Sequence, residues 1–288
     1  MMQTKGFRNL VPDGDCRHRT QPKNNATRGT LKNPGSIEYI SDGPIAIVTF
    51  RRPTVRNALT RSMLDELHAV IDDFVHDDGL EVMILTGAGS ESFCVGADLG
   101  ETIPLLTEGD FRVVADDPSK RFFSDVYKPI ISAVNGFCIA GGLEILLGTD
   151  LRIAADHATF GLTEVKWGIV PAAGSHVRLP GQIPLPIAME LLLTGDLVSA
   201  QRAAEIGLVN KVVPRDELMH EARVMAAALC ENGSMAVRTA KEIAVRSARQ
   251  EARFVLERYM SERVFVSDDA KEGPRAFLEK RAPKFSGK

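Results

Sequence analysis

No two of the four cysteines, Cys16, Cys94, Cys138 and Cys230, are close enough in sequence to form a C-x-x-C pair. Their scatter argues against a disulfide framework or a thiolate zinc site and predicts free thiols in a reducing compartment. The six histidines include no H-E-x-x-H and no His/Cys cluster, so the sequence gives no reason to expect a metal. No apolar run approaches the roughly 18 residues that a membrane span needs, which argues against a membrane partner. A formal net charge of -3 supplies no general attraction for nucleic acid. Glycines follow β-rich runs at Gly87-Ala88-Gly89 and from Gly136 to Gly142, but neither place fits G-x-G-x-x-G or G-x-x-x-x-G-K-[ST]. A nucleotide-binding enzyme is therefore a poor alternative.

What remains is an ordinary globular composition, 44% hydrophobic and 25% charged, at a length that suits one or two domains. Residues 1–35 are rich in Asn, Gly, Pro and basic side chains, with few apolar residues in any period. They read as a flexible extension, or as a start site placed upstream, rather than as a targeting segment. A cytoplasmic location is expected, with the mitochondrial matrix as the alternative that a basic arm would suggest. Ile37 to Ile40 and Ile45 to Phe50 are β-rich runs joined through Asp42-Gly43-Pro44, a hairpin signal. Thr60 is placed to cap a helix whose stripe is Met63, Leu64, Leu67, Val70, Ile71, Phe74 and Val75. Val82 to Leu85, Ile130 to Val134 and Leu208 to Val213 read as strands, and 101–127 as a mostly helical segment. Pro184 to Leu193 and Ser199 to Ile206 read as helices ended by Gly195 and Gly207, and Asp216 to Phe265 is helical throughout.

The richest stretch runs from Lys128 to Arg178. After the strand at Ile130 to Val134 comes a small-residue corner, Ala140-Gly141-Gly142, where backbone can approach a ligand and a helix can begin with its first N–H groups free. Glu144 lies in that first turn, and Glu164 follows twenty positions later among apolar neighbours. Taken singly, each has an ordinary explanation. A carboxylate at a helix start is favoured by the macrodipole, and Glu164 has Lys166 nearby as a partner. The runs Phe93–Ala97 and Phe137–Gly141, FCVGA and FCIAG, are offset copies of one short pattern, which chance could also supply.

In combination, A-G-G-x-E, F-G-x-x-E and G-I-V-P-A-A-G-S-x-x-R-L-P, with FCVGADL upstream, resemble the enoyl-CoA hydratase/isomerase (crotonase) family from about Ile37 to Phe285. The resemblance implies an α/β fold, a crotonase (ClpP-like) spiral of repeated strand-strand-helix units over 36–213. A C-terminal helical region, 214–288, would mediate assembly into a homotrimer or hexamer. It also implies an acyl-CoA substrate, no cofactor beyond the coenzyme A that the substrate carries, and reversible hydration of a trans-2-enoyl thioester. Glu144 and Glu164 would be the catalytic carboxyls, since one group must take a proton from water while another delivers one to carbon. The backbone N–H groups of Ala97 and Gly141 would form the oxyanion hole.

Around these, Val95, Gly96, Asp98, Leu99, Gly142 and Ala172 fall in the matching motifs and are candidate substrate contacts. Trp167 and Leu162 would shape the acyl pocket, unless Trp167 is simply a core anchor. Arg56 would border the coenzyme A, and Lys280 would reach a neighbouring subunit's ligand. Val95 stands where the family usually has Ala or Ser, and Ala172 to Ser175, AAGS, replaces the commoner G-x-G-G. With GIVP, that variant also resembles carnitinyl-CoA dehydratases, leaving dehydration or other crotonase chemistry such as isomerisation as alternatives. A non-catalytic acyl-CoA-binding scaffold is the alternative of another class.

Overall fold

In the computed structural model, which describes residues 36–287, the β-branched runs pair into two sheets through which the chain winds repeatedly. The strands are β1 (Ile37–Asp42), β2 (Ile45–Phe50), β3 (Val82–Gly87), β4 (Ser92–Cys94), β5 (Ile130–Val134), β6 (Phe137–Ile139), β7 (Leu151–Ala155), β8 (Thr159–Gly161), β9 (Val198–Ser199) and β10 (Lys211–Val213). The larger sheet has the order β1-β2-β3-β5-β7-β10 and the smaller one β4-β6-β8-β9. Each of β3, β5 and β7 in the large sheet is followed directly by β4, β6 or β8 in the small one, so one winding of the spiral adds a parallel strand to both.

The helices are α1 (Arg61–His76), α2 (Thr102–Thr107), α3 (Gly141–Leu147), α4 (Ser175–Gln182), α5 (Leu185–Thr194), α6 (Ala200–Glu205), α7 (Leu218–Cys230), α8 (Ser234–Ser247), α9 (Glu251–Phe265) and α10 (Asp268–Leu278). Thr60 caps α1 by accepting from the Met63 N–H, and the expected stripe faces inward, with Ile71 and Val75 at its partly buried edge. Such a cap is worth about 1 kcal/mol. The large sheet is covered on both faces, which is why its strands read as continuous apolar runs. Met83, Leu85, Ile130 and Val134 face the main core, while Val82, Ile84, Ile131 and Ala133 face α7 through Leu218, Ala222 and Ala226.

Two expectations need correcting. The segment 101–127 holds only the six-residue α2 and one 3-10 turn, Phe111–Val113. The Asp110 side chain caps the 3-10 turn by accepting from the Arg112 N–H, and beyond it Asp117 accepts from the Ser119 N–H, a turn-forming pattern that competes with helix. The strand expected from Leu208 begins only at Lys211, because the Leu208 and Val209 N–H groups close the end of α6 on the Ala203 carbonyl. The C-terminal helices also reach the cavity described below, where Phe265, Phe277 and Leu278 form part of the wall. Cys94, Cys138 and Cys230 are free thiols, the first two buried, and Cys16 and the N-terminal arm lie outside the described residues. Among the described residues no helix is long and apolar enough to cross a membrane, and no group of three or more His, Cys, Asp or Glu could hold a metal ion.

Candidate active site

The two copies of the short FC pattern are neighbours in space: β4 and β6 pair in parallel, with Ser92 opposite Phe137 and Cys94 opposite Cys138. The chain leaves each strand through a small-residue corner, and the two corners meet. A Cβ on Gly96 would sit 2.7 Å from the Gly141 nitrogen, and one on Gly142 would sit 2.2 Å from the Cys94 carbonyl oxygen. Only glycine permits that approach. Ala140, between β6 and α3, holds φ 52° and ψ -131°, a conformation foreign to residues with a Cβ. Strain of this kind costs on the order of 1–3 kcal/mol. Here it turns the chain so that α3 starts at Gly141. The N–H groups of Ala97 and Gly141 donate no hydrogen bond among the described residues, because Leu59 bridges Ala97 only through the flanking Gly96 carbonyl and Asp98 N–H.

Both corners open on a cavity of about 620 Å³ whose wall is mostly apolar. Ala97, Gly141, Glu144 and Glu164 all line it, together with Arg56, Val95, Asp98, Leu99, Trp167 and Ala172. Gly96 and Gly142 stand behind that wall as close-packing residues, and Leu162 is buried in the core instead of facing the cavity. Asp98 touches the cavity, but its carboxylate is engaged by Arg52 and by the Gly100 N–H. Trp167 fulfils both of its readings, lining the cavity and stacking edge-on against Phe277 of α10 with centroids 4.9 Å apart. Arg56 lies at the surface over the Phe137 ring, 3.7 Å from Glu91. Lys280 is exposed and lies off the cavity of its own chain.

The two carboxyls are both buried but differently held. Glu144, one turn into α3, accepts from the Ala173 N–H at 2.7 Å, the Ser175 N–H at 3.2 Å and the Ser175 hydroxyl at 2.9 Å, all on Oε1. Burial and then the charge of Glu257 raise its pKa above the ordinary carboxylate value, and those three donors pull it back. Glu164, at the head of the 3-10 turn Glu164–Trp167, has a buried Oε2 with no hydrogen-bond partner. Burial, reinforced by the charge of Glu144, lifts its pKa well above the usual range. Lys166 does not relieve it: that side chain turns away to Asp196 at 2.8 Å. Ala173 and Ser175 are contacts of Glu144 that the sequence did not expose as such. The departure of AAGS from G-x-G-G was the available signal, and its serine supplies the third donor.

A two-sheet spiral whose adjoining corners hold two free N–H groups beside two buried carboxyls defines a crotonase-fold protein. The model of the enoyl-CoA hydratase/isomerase family matches residues 41–288, and the chain belongs to that family. It is 41% identical to the enoyl-CoA hydratase EchA19 of Mycobacterium tuberculosis over 260 residues, covering 85% of this chain and 94% of that one. It is 36% identical to the carnitinyl-CoA dehydratase of Proteus mirabilis, covering 88% and 99%. Among solved structures, a carnitinyl-CoA dehydratase from Mycobacterium avium superposes with a TM-score of 0.78 at 33% identity, over 88% of this chain and 99% of that one.

Proposed function

We propose that this chain is an enoyl-CoA hydratase, a hydro-lyase that adds water reversibly and syn across a trans-2-enoyl-CoA. The observation that carries the assignment of roles is the asymmetry of the carboxyls: Glu144 has three donors, and Glu164 has a buried oxygen with none. In this reading Glu144, the better supplied with donors, works as the carboxylate and Glu164, the more strongly raised, as the acid. Glu144 takes a proton from water as the oxygen adds to the β-carbon, and Glu164 delivers its proton to the α-carbon. Negative charge collecting on the thioester oxygen meets the Ala97 and Gly141 N–H groups, each worth on the order of 3 kcal/mol of barrier reduction. The chain's own groups and the substrate's thioester suffice for these steps, with coenzyme A arriving as part of the substrate.

A second reading, dehydration of a hydroxyacyl-CoA, is supported by the AAGS turn and by the carnitinyl-CoA dehydratase relatives. It shares the transition state and differs only in direction. Arg56 at the mouth suits the coenzyme A phosphates. Assembly as a trimer or hexamer fits the exposed apolar side chains of the C-terminal helices, with Met235 83% and Tyr259 67% exposed in the single chain. In such an assembly Lys280 would reach a neighbour's ligand. A cytoplasmic location, rather than a mitochondrial one, fits the bacterial sources of the relatives.

The deciding experiment follows loss of enoyl-thioester absorbance with crotonyl-CoA and with longer and branched enoyl-CoA esters. Turnover of at least one, reversed when the hydroxyacyl-CoA is supplied, is expected. Tight binding of these esters with no turnover of any would leave the scaffold reading instead.

A further inference from the structure

Behind the turn that supplies Glu144 with its donors lies a third buried carboxyl that the reaction does not use. Glu257, on α9, pairs with Arg121 at 3.0 Å, and both side chains are essentially inaccessible. The Arg121 guanidinium is fully committed, donating also to the carbonyls of Pro118, Lys120 and Phe254. A Cβ on Gly174, in the middle of the donor turn, would lie 3.2 Å from Arg121 Cγ and 3.4 Å from the Phe254 ring. The pair therefore backs directly onto the Ala173–Ser175 segment that grips Glu144.

Only one Glu257 oxygen is used by Arg121. Oε1 has no hydrogen-bond partner and instead faces His176 Nδ1 at 3.6 Å. His176 is the residue after Ser175, and its side chain is 37% exposed. A purely structural ion pair in a dry interior would have both carboxylate oxygens satisfied. Here the unsatisfied one is turned toward an imidazole that reaches solvent, the side-chain type whose ordinary titration lies closest to neutrality.

We propose that Glu257, held by Arg121, is a positioning residue for Glu144, and that His176 is the group through which solvent pH acts on that carboxylate. The inference rests on the acid–base reading given above. The charged groups facing Glu144 are Glu164 from the 3-10 turn, Glu257 from α9, His176 and Arg178 from α4, and Arg121 behind the turn. Arg152 lies beyond Arg178. With Glu164 and His176 neutral, two guanidiniums balance two carboxylates around the turn. Burial opposes charging His176, but the Glu257 carboxylate and then Glu144 outweigh it and raise the imidazole above its ordinary value. Coupling of this kind is reciprocal. A protonated His176 offsets Glu257 and so favours ionised Glu144, whereas an uncompensated Glu257 disfavours it.

The test uses variants with opposite expected signs. In the pH profile of kcat/KM, His176→Gln leaves Glu257 uncompensated and moves the acidic limb to higher pH by about half a unit. Glu257→Gln moves the same limb to lower pH, and the double variant follows Glu257→Gln because His176 acts mainly through that carboxylate. KM stays within about twofold in both, since neither residue lines the cavity. Damage to packing would instead lower activity at every pH without displacing the limb. Should Glu257→Gln fail to fold, the half-exposed His176 site still gives the decisive sign.

An NMR titration of His176 reads the same link without turnover. Both Glu257→Gln and Glu144→Gln should lower its midpoint. A His176 midpoint indifferent to Glu144→Gln, or a His176→Gln profile that overlays the parent, overturns the proposal. Absence of hydration in the parent protein would instead overturn the reading under which Glu144 is the base, while the titration still decides whether the two groups are coupled.

Discussion

Glu144 and Glu164 line the same cavity, yet their carboxyls are held in different surroundings. On the α3–α4 side, the chain spends two backbone N–H groups and a serine hydroxyl on a single carboxylate oxygen. On the side of the 3-10 turn Oε2 of Glu164 is left without a partner, and the Lys166 side chain is drawn off to Asp196. Burial alone raises both carboxyls, so the difference comes from donors and charges. The donors favour the anion on one side and their absence on Oε2 favours the acid form on the other, the division of labour on which the proposed addition of water rests.

Erasing either half of that division should have the largest effect. Glu144→Gln and Glu164→Gln keep side-chain volume and remove proton transfer, so each should cut kcat by about 100-fold or more with little change in substrate binding. The double variant should lose far less than the product of the two, because neither carboxyl completes the reaction alone. Single-turnover kinetics alongside binding measurements separate the two quantities. Bound enoyl-CoA should keep its spectral shift in all three, since the Ala97 and Gly141 donors remain.

A smaller loss is expected when the two corners are pushed apart. Gly142→Ala forces a methyl against the Cys94 carbonyl, and overpacking of this sort typically costs about 1–3 kcal/mol of stability. The α3 start must shift relative to β4, so kcat should fall about tenfold and the bound-substrate spectral shift should shrink. An unchanged shift would place the oxyanion donors elsewhere.

Ser175→Ala makes Glu144 more like Glu164 by removing one donor. A hydrogen bond to a charged group is worth about 1.5–3 kcal/mol, so the acidic limb of kcat/KM should rise by about one pH unit with only a few-fold loss at the optimum. A limb that stays in place would mean that the hydroxyl does not stabilise the anion.

The smallest effect is on stability, and it has the opposite sign to the effect on activity. An unfolded glutamate ionises at about 4.3, whereas the Glu164 carboxyl in the folded chain keeps its proton well above the usual value. Above the unfolded value, ionisation favours the unfolded chain, and this penalty grows with pH until the folded carboxyl also ionises. Glu164→Gln should therefore melt about 2–4 °C higher for each kcal/mol relieved, with a larger gain at mildly alkaline than at mildly acidic pH. A lower melting temperature at all pH values would indicate a stabilising partner for Glu164.

Local chemistry made much of this fold legible. The Thr60 cap, the Ile130–Val134 strand and the glycine stops at Gly195 and Gly207 are set by residues within a turn of one another, and the structure has each in place. The site was legible only in part, through motif spacing that the family resemblance made specific. Composition gave Glu164 no distinction from a surface glutamate, and Lys166 suggested the wrong pairing. What could not be read depends on contacts between distant segments. Arg121 and Glu257 are 136 residues apart, and no periodicity links them. Phe265, Phe277 and Leu278 reach the cavity only because the C-terminal helices fold back over it, which no local pattern reveals. The segment from 101 to 127 misled because its apolar residues suggest helix while its aspartates close turns.

The protonation state of Glu164 is the central claim, and infrared difference spectroscopy of the unliganded protein at neutral pH measures it directly. Comparing the parent with Glu164→Gln and with Glu144→Gln, the carbonyl stretch of a buried protonated carboxyl should vanish in Glu164→Gln. It should persist in Glu144→Gln, where instead a carboxylate band is lost. A protonated-carboxyl band that survives in Glu164→Gln and disappears in Glu144→Gln would reverse the roles and contradict the account.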